Sequence, residues 1–332
     1  MQYRRSDYDV TNTVQVSSPA AVRKAVLELF SQQWPGHSFD RVDTAFRDFE
    51  RLFTGEFPGY LGCDTVYHDL QHSLDGTLAT SRLIVGHERT QPAGDRIGPE
   101  RAILGVVVGL FHDAGYIRHA NDAQHRNGAE YTLNHVSRSA RFLAEYLPVL
   151  GMSEWAPVAT RIVHFTGYEV KFDQIKLADA RDRRLGHIVG TGDLIAQMSD
   201  RCYLEKCRDR LYPEFVLGGI ALSRDASGAP RVKYSSGLDV LRQTPDFFDD
   251  VLRTRLNGEF AAAYRHLEVL YGGRNPYLEA MHRHQAYLQE ILDTGSWPML
   301  RRDPPVFTWD KNPLENVRTL VLGHLKNMWV KR

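Results

Sequence analysis

Thiols, net charge and long apolar runs are scarce in this 332-residue chain, and each shortage narrows the function classes that fit it. The three cysteines, Cys63, Cys202 and Cys207, form no Cys-x-x-Cys pair. Such a sparse, odd set argues against a disulfide framework or a thiolate zinc site and favours a reducing compartment. Lys plus Arg and Asp plus Glu are equal at 41 each, so the chain lacks the basic surplus of proteins that bind long nucleic acid. A small nucleotide or phosphate ester would require only a local positive patch.

The apolar runs are short as well. The longest, around residues 102–111, is far too short to cross a bilayer, and the first ten residues contain no apolar signal core. Hydrophobic residues make up 42% of the chain and charged residues 25%, an ordinary globular balance with enough length for one large domain or two modest ones. We therefore expect a cytoplasmic protein without a membrane partner.

Helical periodicity dominates the chain and predicts an all-α bundle. From the N-terminus, the predicted helices cover residues 19–29, 46–53, 67–85, 100–113, 128–147, 155–165, 188–210, 246–271, 276–292 and 314–329. Residues 218–238 are the exception, because short β-prone runs on either side of Ser227-Gly228 predict a small hairpin. Residues 296–313, rich in Pro and Trp, are expected to form an irregular arm before the last helix.

Six side chains of the kind that binds divalent metals follow one another along these helices: His72, His112, Asp113, His135, His164 and Asp193. Neutral imidazoles and carboxylates are the ligands that zinc, manganese, iron and similar ions use when no thiolate is present. His112 and Asp113 end a helix that is apolar on nearly every side, where a charge is costly unless it is paired or coordinates a metal. Alone, His135 and His164 would pass for hydrogen-bonded core histidines. Asp193 alone would pass for a charge near a helix N-terminus.

His68 lies four residues before His72, a spacing that places two side chains on one face of a helix. One imidazole could then hold a metal while the other acts as an acid. The alternative is an ordinary polar helix face.

As a set, these residues resemble the HD-domain superfamily of metal-dependent phosphohydrolases, with its His, His-Asp, Asp signature on a helical bundle. Residues 67–75, YHDLQHSLD, are similar to the Tyr-His-Asn-x-x-His-x-x-Asp segment of cyclic-nucleotide phosphodiesterases, with Asp69 where that family has Asn. Glu214-Phe215 with Gly218-Gly219 is similar to another stretch of those enzymes, but no position matches the Gln and Phe that clamp the base. His135 and His164 match the additional histidines of the binuclear branch, which includes cyclic-dinucleotide phosphodiesterases and a few di-iron oxygenases. The resemblance covers roughly residues 67–215.

The resemblance implies two divalent ions, of Mn, Fe, Zn, Ni or Mg, bridged by the catalytic Asp113 and a hydroxide. The ligands of one ion would be His72, His112 and Asp193, and those of the other His135 and His164. His68 would be the general acid that protonates the departing alkoxide, oriented by Asp69 or Asp75. Candidate contacts to an anionic substrate, each of which could equally be a solvated charge or a satisfied amide, are Arg118, Arg126, Gln197 and Lys206.

The expected function is therefore a metal-dependent phosphohydrolase, specifically a phosphodiesterase acting on a small nucleotide-like phosphoester. Two alternatives stay open, a di-iron oxygenase on the same ligands and a nucleotide-binding module without catalysis. Residues 1–60 are expected to form N-terminal helices that pack on the core, residues 61–240 the HD-type metal-binding domain, and residues 241–332 a helical C-terminal extension of the same globule. That extension, with Trp297, Trp309 and Trp329, could cover the core or form a homodimer contact.

Overall fold

The structure is a computed structural model that describes residues 4–225 and 229–330, and it confirms the all-α class. The α-helices are α1 (Pro19–Gln33), α2 (Asp40–Phe53), α3 (Leu70–Thr90), α4 (Gly98–Phe111), α5 (His135–Val149), α6 (Ala156–Ile162), α7 (Ala180–Ser199), α8 (Tyr203–Lys206), α9 (Tyr212–Leu217), α10 (Gly237–Asp250), α11 (Pro276–Thr294) and α12 (Pro313–Val330). Segments of 3-10 helix lie at Ala93–Asp95, Ala114–Tyr116, Gly128–Tyr131, Ser153–Trp155, Val163–Thr166, Phe172–Gln174, Ala263–Leu270 and Trp297–Met299. Two segments are π-helical, at Cys207–Leu211 and Val251–Glu259.

The predicted hairpin is present. Strand β1 (Leu222–Arg224) pairs antiparallel with β2 (Pro230–Val232), with Leu222 opposite Val232. The predicted turn residues Ser227 and Gly228 lie outside the described residues. None of the described helices is both long enough and apolar enough to cross a membrane.

Helix α3 lies at the centre of the bundle and is buried along nearly its whole length. It packs on α7, α4 and α1. The approach of α7 is close because Gly192 has no side chain. A Cβ there would lie 2.2 Å from Thr80 Oγ1 and 2.9 Å from the Thr80 backbone nitrogen. The next residue, Asp193, is thereby brought against α3.

Both ends of the chain contribute to the same core, since one continuous cluster of buried apolar residues runs from Val10 to Leu300. The irregular arm is also present, and it crosses the start of α3. In the arm, the Phe307 carbonyl accepts a hydrogen bond from the Leu70 amide, and the Trp309 amide donates to the Cys63 carbonyl. Helix α12 then packs on α9. The structure does not describe the side chain of Trp329.

Several predicted helix boundaries are wrong. Helix α5 begins at His135 and not at residue 128, and the helix predicted at residues 246–271 is instead the end of α10 followed by π-helical and 3-10 segments. Two further boundaries also affect the site. Helix α3 begins at Leu70 behind the N-cap Asp69, so His68 precedes the helix and does not share a helix face with His72. Helix α7 begins at Ala180 and ends at Ser199, where Asp200 turns the chain. Asp193 therefore lies in the second half of a long helix, and its interpretation as a charge at a helix N-terminus is wrong.

Candidate metal centre

Three of the predicted ligands meet at one point inside the bundle. His72 comes from the first turn of α3, while His112 and Asp113 follow the C-terminus of α4. Nε2 of each imidazole lies 3.2 Å from Asp113 Oδ2, and the two Nε2 atoms are 3.3 Å apart. Metal–ligand bonds of about 2.0–2.2 Å place neighbouring ligand atoms about 3–3.5 Å apart. The spacing of these three atoms is therefore that of ligands around one ion.

Asp193 joins this group through the two imidazoles. Its Oδ1 lies 3.4 Å from Nε2 of His72 and 3.5 Å from Nε2 of His112. Helix α3, the turn after α4 and helix α7 thus supply the four predicted ligands of the first ion. We refer to these four residues below as the first position.

The donor set fits a divalent ion. Nδ1 of His112 donates to the Gly109 carbonyl at 2.8 Å, which leaves the lone pair on Nε2 for a metal. Asp113 Oδ2 and Asp193 Oδ1 are buried and have no hydrogen-bond partner among the described residues. Buried carboxylate oxygens without partners are costly, and an ion bound between them removes that cost.

The electrostatics of the first position agree with this. Burial lowers the pKa of His72, but the carboxylates of Asp113 and Asp193 outweigh it and raise the pKa to about 9. Burial likewise raises the pKa of Asp113 and of Asp193, yet His112 and His72 hold both well below their usual range. The carboxylates therefore stay ionised and attract positive charge to the point where the side chains meet. Protons and a metal ion compete for binding at this point.

Asp113 also faces a second set of side chains. Its other oxygen, Oδ1, lies 3.7 Å from Nε2 of His135, the first residue of α5. Nδ1 of His135 donates to the Thr132 carbonyl at 2.8 Å, which again directs the Nε2 lone pair towards the carboxylate. The two oxygens of Asp113 thus face different imidazoles, as in a carboxylate that bridges two ions.

His164 belongs to the 3-10 turn that follows α6, and this turn packs against both α5 and α7. Its Nδ1 is buried without a hydrogen-bond partner among the described residues, and burial lowers the pKa of the imidazole. A neutral imidazole with a free nitrogen is suited to bind a metal. His164 nevertheless lies outside the tight group of His72, His112 and Asp113. His135 and His164 are called the second position below.

His68 is held by a residue to which sequence reasoning gave no role. Its Nδ1 bonds to Glu214 Oε2 at 2.5 Å, and Glu214 is fully buried on α9. Glu214 Oε1 also accepts from the backbone amides of Val66 and Tyr67, both at 2.6 Å. The role expected of Asp69 or Asp75 therefore belongs to Glu214, while Asp69 caps α3 by accepting from the His72 amide at 3.1 Å.

Tyr116 is a second residue that sequence reasoning missed. Its ring stacks on His135, with 4.3 Å between ring centroids, and on His68, with 4.5 Å. Gly115 makes this possible, because a Cβ there would lie 1.8 Å from the His135 carbonyl oxygen. The turn after Asp113 thus positions two imidazoles from other parts of the chain. The Gly115-Tyr116 pair, one residue beyond His112-Asp113, was the available sequence signal.

The site opens on the side of His68 and His135. Their side chains are each 16% exposed, against 3 to 7% for the four residues of the first position. This is therefore the least buried side of the cluster.

Of the candidate substrate contacts, Gln197 and Lys206 lie beside the first position. Together with His72 they line a narrow cavity whose free volume of about 10 Å³ is room for about one water molecule. Lys206 is buried and donates to Asp200 at 2.6 Å, and Gln197 accepts from the Tyr67 hydroxyl at 3.1 Å. This cavity is too small for a nucleotide. The geometry therefore does not favour direct contact between a substrate and the side chains of Gln197 and Lys206.

Arg118 and Arg126 lie on the loop after Tyr116. Arg118 forms an ion pair with Asp64 at 2.9 Å and donates to the His125 carbonyl at 3.0 Å. Arg126 is exposed on the same loop. Neither side chain is among the contacts that the described residues make at the first position. Arg118 therefore has a structural task, and its role as a substrate contact stays a prediction.

In comparisons with known proteins, no family model, no curated protein and no solved structure matches this chain. The functional proposal therefore rests on the side chains and their geometry.

Proposed function

We propose that this chain is a metal-dependent phosphohydrolase of the HD type that cleaves a small, nucleotide-like phosphodiester. The observation that supports it most is the placement of Asp113, with one oxygen 3.2 Å from the two imidazoles of the first position and the other 3.7 Å from His135. A carboxylate in this arrangement can bridge two divalent ions, the constellation that favours displacement at phosphorus.

The ions, when bound, would polarise the phosphoryl group and lower the pKa of a water molecule that attacks it. The protein's own contribution is positional. The first position holds four ligands in a buried pocket that excludes bulk water, and the second presents neutral imidazoles on the open side. The ions would also supply the positive charge that a phosphodiester requires.

His68 is proposed as the proton donor to the departing oxygen. Glu214 accepts a hydrogen bond from Nδ1 at 2.5 Å, which leaves Nε2 as the nitrogen from which a proton could be transferred. The buried carboxylate also fixes the ring orientation. Tyr116 stacks on the same ring at 4.5 Å and prevents it from rotating away.

The test compares metal content and hydrolysis in matched variants. We expect the purified chain to contain manganese, iron, zinc, nickel or magnesium and to hydrolyse bis(p-nitrophenyl) phosphate. His112→Ala and Asp113→Ala should lose both properties, whereas His282→Ala, at an exposed position on α11, should keep both. Wild-type metal content and hydrolysis in either site variant would show that the assignment of the centre is wrong.

The second candidate function is a di-iron oxygenase. His135 and His164 favour it, because oxygen chemistry uses histidine-rich iron sites with open positions. Oxygen consumption coupled to substrate loss, with a mixed-valence iron signal, would select this function, and full turnover without oxygen would exclude it. The third candidate, a nucleotide-binding module without catalysis, would bind nucleotide tightly and leave it intact. A homodimer remains a prediction that light scattering of the purified chain can test.

A further inference from the structure

The short stretch that carries His164 is held by a residue far along the chain. Arg255 Nη2 donates to the carbonyl of Phe165 at 3.0 Å and to the carbonyl of Gly167 at 3.1 Å. These carbonyls belong to the residues one and three positions after His164. Arg255 itself is only 7% exposed, so the bonds are made away from water, where their directionality counts most.

Arg255 reaches this stretch from the π-helical segment Val251–Glu259. π-helical turns are rare and frequently occur at functional sites. Glu259, one turn further along, accepts from Arg255 Nη1 at 2.9 Å and fixes the other half of the guanidinium. The ring of Tyr168 lies 4.6 Å from the guanidinium carbon, so the residue after Gly167 also packs on Arg255.

The same stretch is tied to α5 from its other side. Glu169 accepts from the backbone amides of Val136 and Ser137 at 2.6 and 3.0 Å. These are the two residues directly after His135. Gly167 allows the contact to be close, because a Cβ there would lie 2.5 Å from Val136 Cγ2. Arg255 and Glu169 therefore hold one short loop, which follows His164 in the chain and contacts the residues directly after His135.

We propose that Arg255 is a positioning residue for the second metal ion, which fixes the backbone on the C-terminal side of His164 and thereby the direction of its imidazole. This rests on the two-ion site proposed above. It assigns a task in the metal centre to the C-terminal part of the chain, which lies outside the segment that resembles the HD superfamily. Mutation of a residue that orients a metal ligand typically weakens metal binding by about 10- to 100-fold. We expect a loss of affinity of that size for the second ion alone.

The experiment titrates the metal-free full-length chain with Co²⁺ and follows the visible spectrum of each equivalent bound. In Arg255→Met, the first equivalent should bind as in wild type, and the second should bind about 10- to 100-fold more weakly. Arg255→Lys, which retains one donor group, should fall between the two. Arg253→Met changes an exposed residue of the same segment and is the control; it should bind two ions as wild type does.

The outcomes separate this inference from the proposed function. Two ions bound by Arg255→Met with wild-type affinities and spectra would overturn the role of Arg255 and leave the two-ion site intact. An equal weakening of both ions, together with a lower unfolding temperature, would show a general structural role and would also overturn it. A wild-type chain that binds a single equivalent would overturn the two-ion premise and this inference with it.

Discussion

Replacing Glu214 by glutamine tests how His68 is held and what it does. The Glu214 carboxylate is fully buried and accepts three bonds of 2.5 to 2.6 Å, from His68 and from the amides of Val66 and Tyr67. The glutamine oxygen can still accept from the two backbone amides. Its NH₂ group then faces His68 Nδ1, so the charged imidazole loses its acceptor. We expect the folded chain to keep its metal ions and to lose proton donation.

The size of the effect follows from the bond that is lost. A hydrogen bond to a charged partner contributes about 1.5–3 kcal/mol, and each 1.4 kcal/mol or so changes a rate about tenfold. Glu214→Gln should therefore slow a reaction that needs the proton by about 10- to 150-fold. His68→Ala, which removes the donor itself, should slow it by about 10²- to 10⁴-fold.

The assay uses two phosphodiesters that differ in the leaving group. A p-nitrophenolate departs without a proton, whereas a nucleoside alkoxide needs one, so only hydrolysis of the alkoxide ester should slow in Glu214→Gln. Glu205→Gln is the matched control, because Glu205 is also fully buried but pairs with Arg302 at 3.2 Å. Equal slowing with both leaving groups, at unchanged metal content, would refute proton donation by His68.

Three further predictions concern stability. Gly192→Ala places a Cβ 2.2 Å from Thr80 Oγ1, so it should lower the free energy of unfolding by about 1–3 kcal/mol. Gly323→Ala lies on α12, where nothing lies within 4 Å of the added Cβ, and should raise the free energy of unfolding by about 0.5–1 kcal/mol. Urea titration measures both changes. Burial raises the pKa of Asp9, but Arg82 and local hydrogen bonds outweigh it and lower the pKa to about 2. The carboxylate therefore stabilises the fold above about pH 4 and ceases to do so as the pH falls towards 2. Urea titrations should show that the free energy of unfolding of Asp9→Asn is about 2 kcal/mol below that of wild type at pH 6 and that the difference disappears by pH 2. Removing metal with a chelator should lower the unfolding temperature, and an ion restored at about 100 times its Kd should return about 2.7 kcal/mol, which calorimetry can measure.

The fold could be predicted from the sequence because nearly every helix buries an apolar face. Helix α7 shows where this signal fails. Its first eight residues, 180–187, are mostly polar, so apolar periodicity predicted a start at residue 188. The structure stabilises this turn by other means. The Asp179 side chain accepts from the Arg181 amide at 2.8 Å, and Asp182 pairs with Arg101 at 2.7 Å. A helix that begins with caps and ion pairs leaves no periodic apolar trace.

Charged side chains were the least predictable part of the site. Lys206 and Arg118 were both candidates for binding an anionic substrate, and both are committed to buried carboxylates, Asp200 and Asp64. The sequence shows the sign of a charge but not its partner. The partner lies six residues away for Lys206 and 54 residues away for Arg118. The partner of His68 is 146 residues away, which is why Glu214 acquired no role from the sequence.

The ligand histidines differ in how local their support is, and this decides which of them a sequence can reveal. His112 and His135 each bond through Nδ1 to the carbonyl of the residue three positions earlier, Gly109 and Thr132, at 2.8 Å. One local turn of the chain therefore fixes the tautomer and directs Nε2 outward before any long-range contact forms. His164 has no such bond among the described residues. Its direction must come from the loop around it, so we expect the proposed second ion to be the more sensitive of the two to changes distant in sequence.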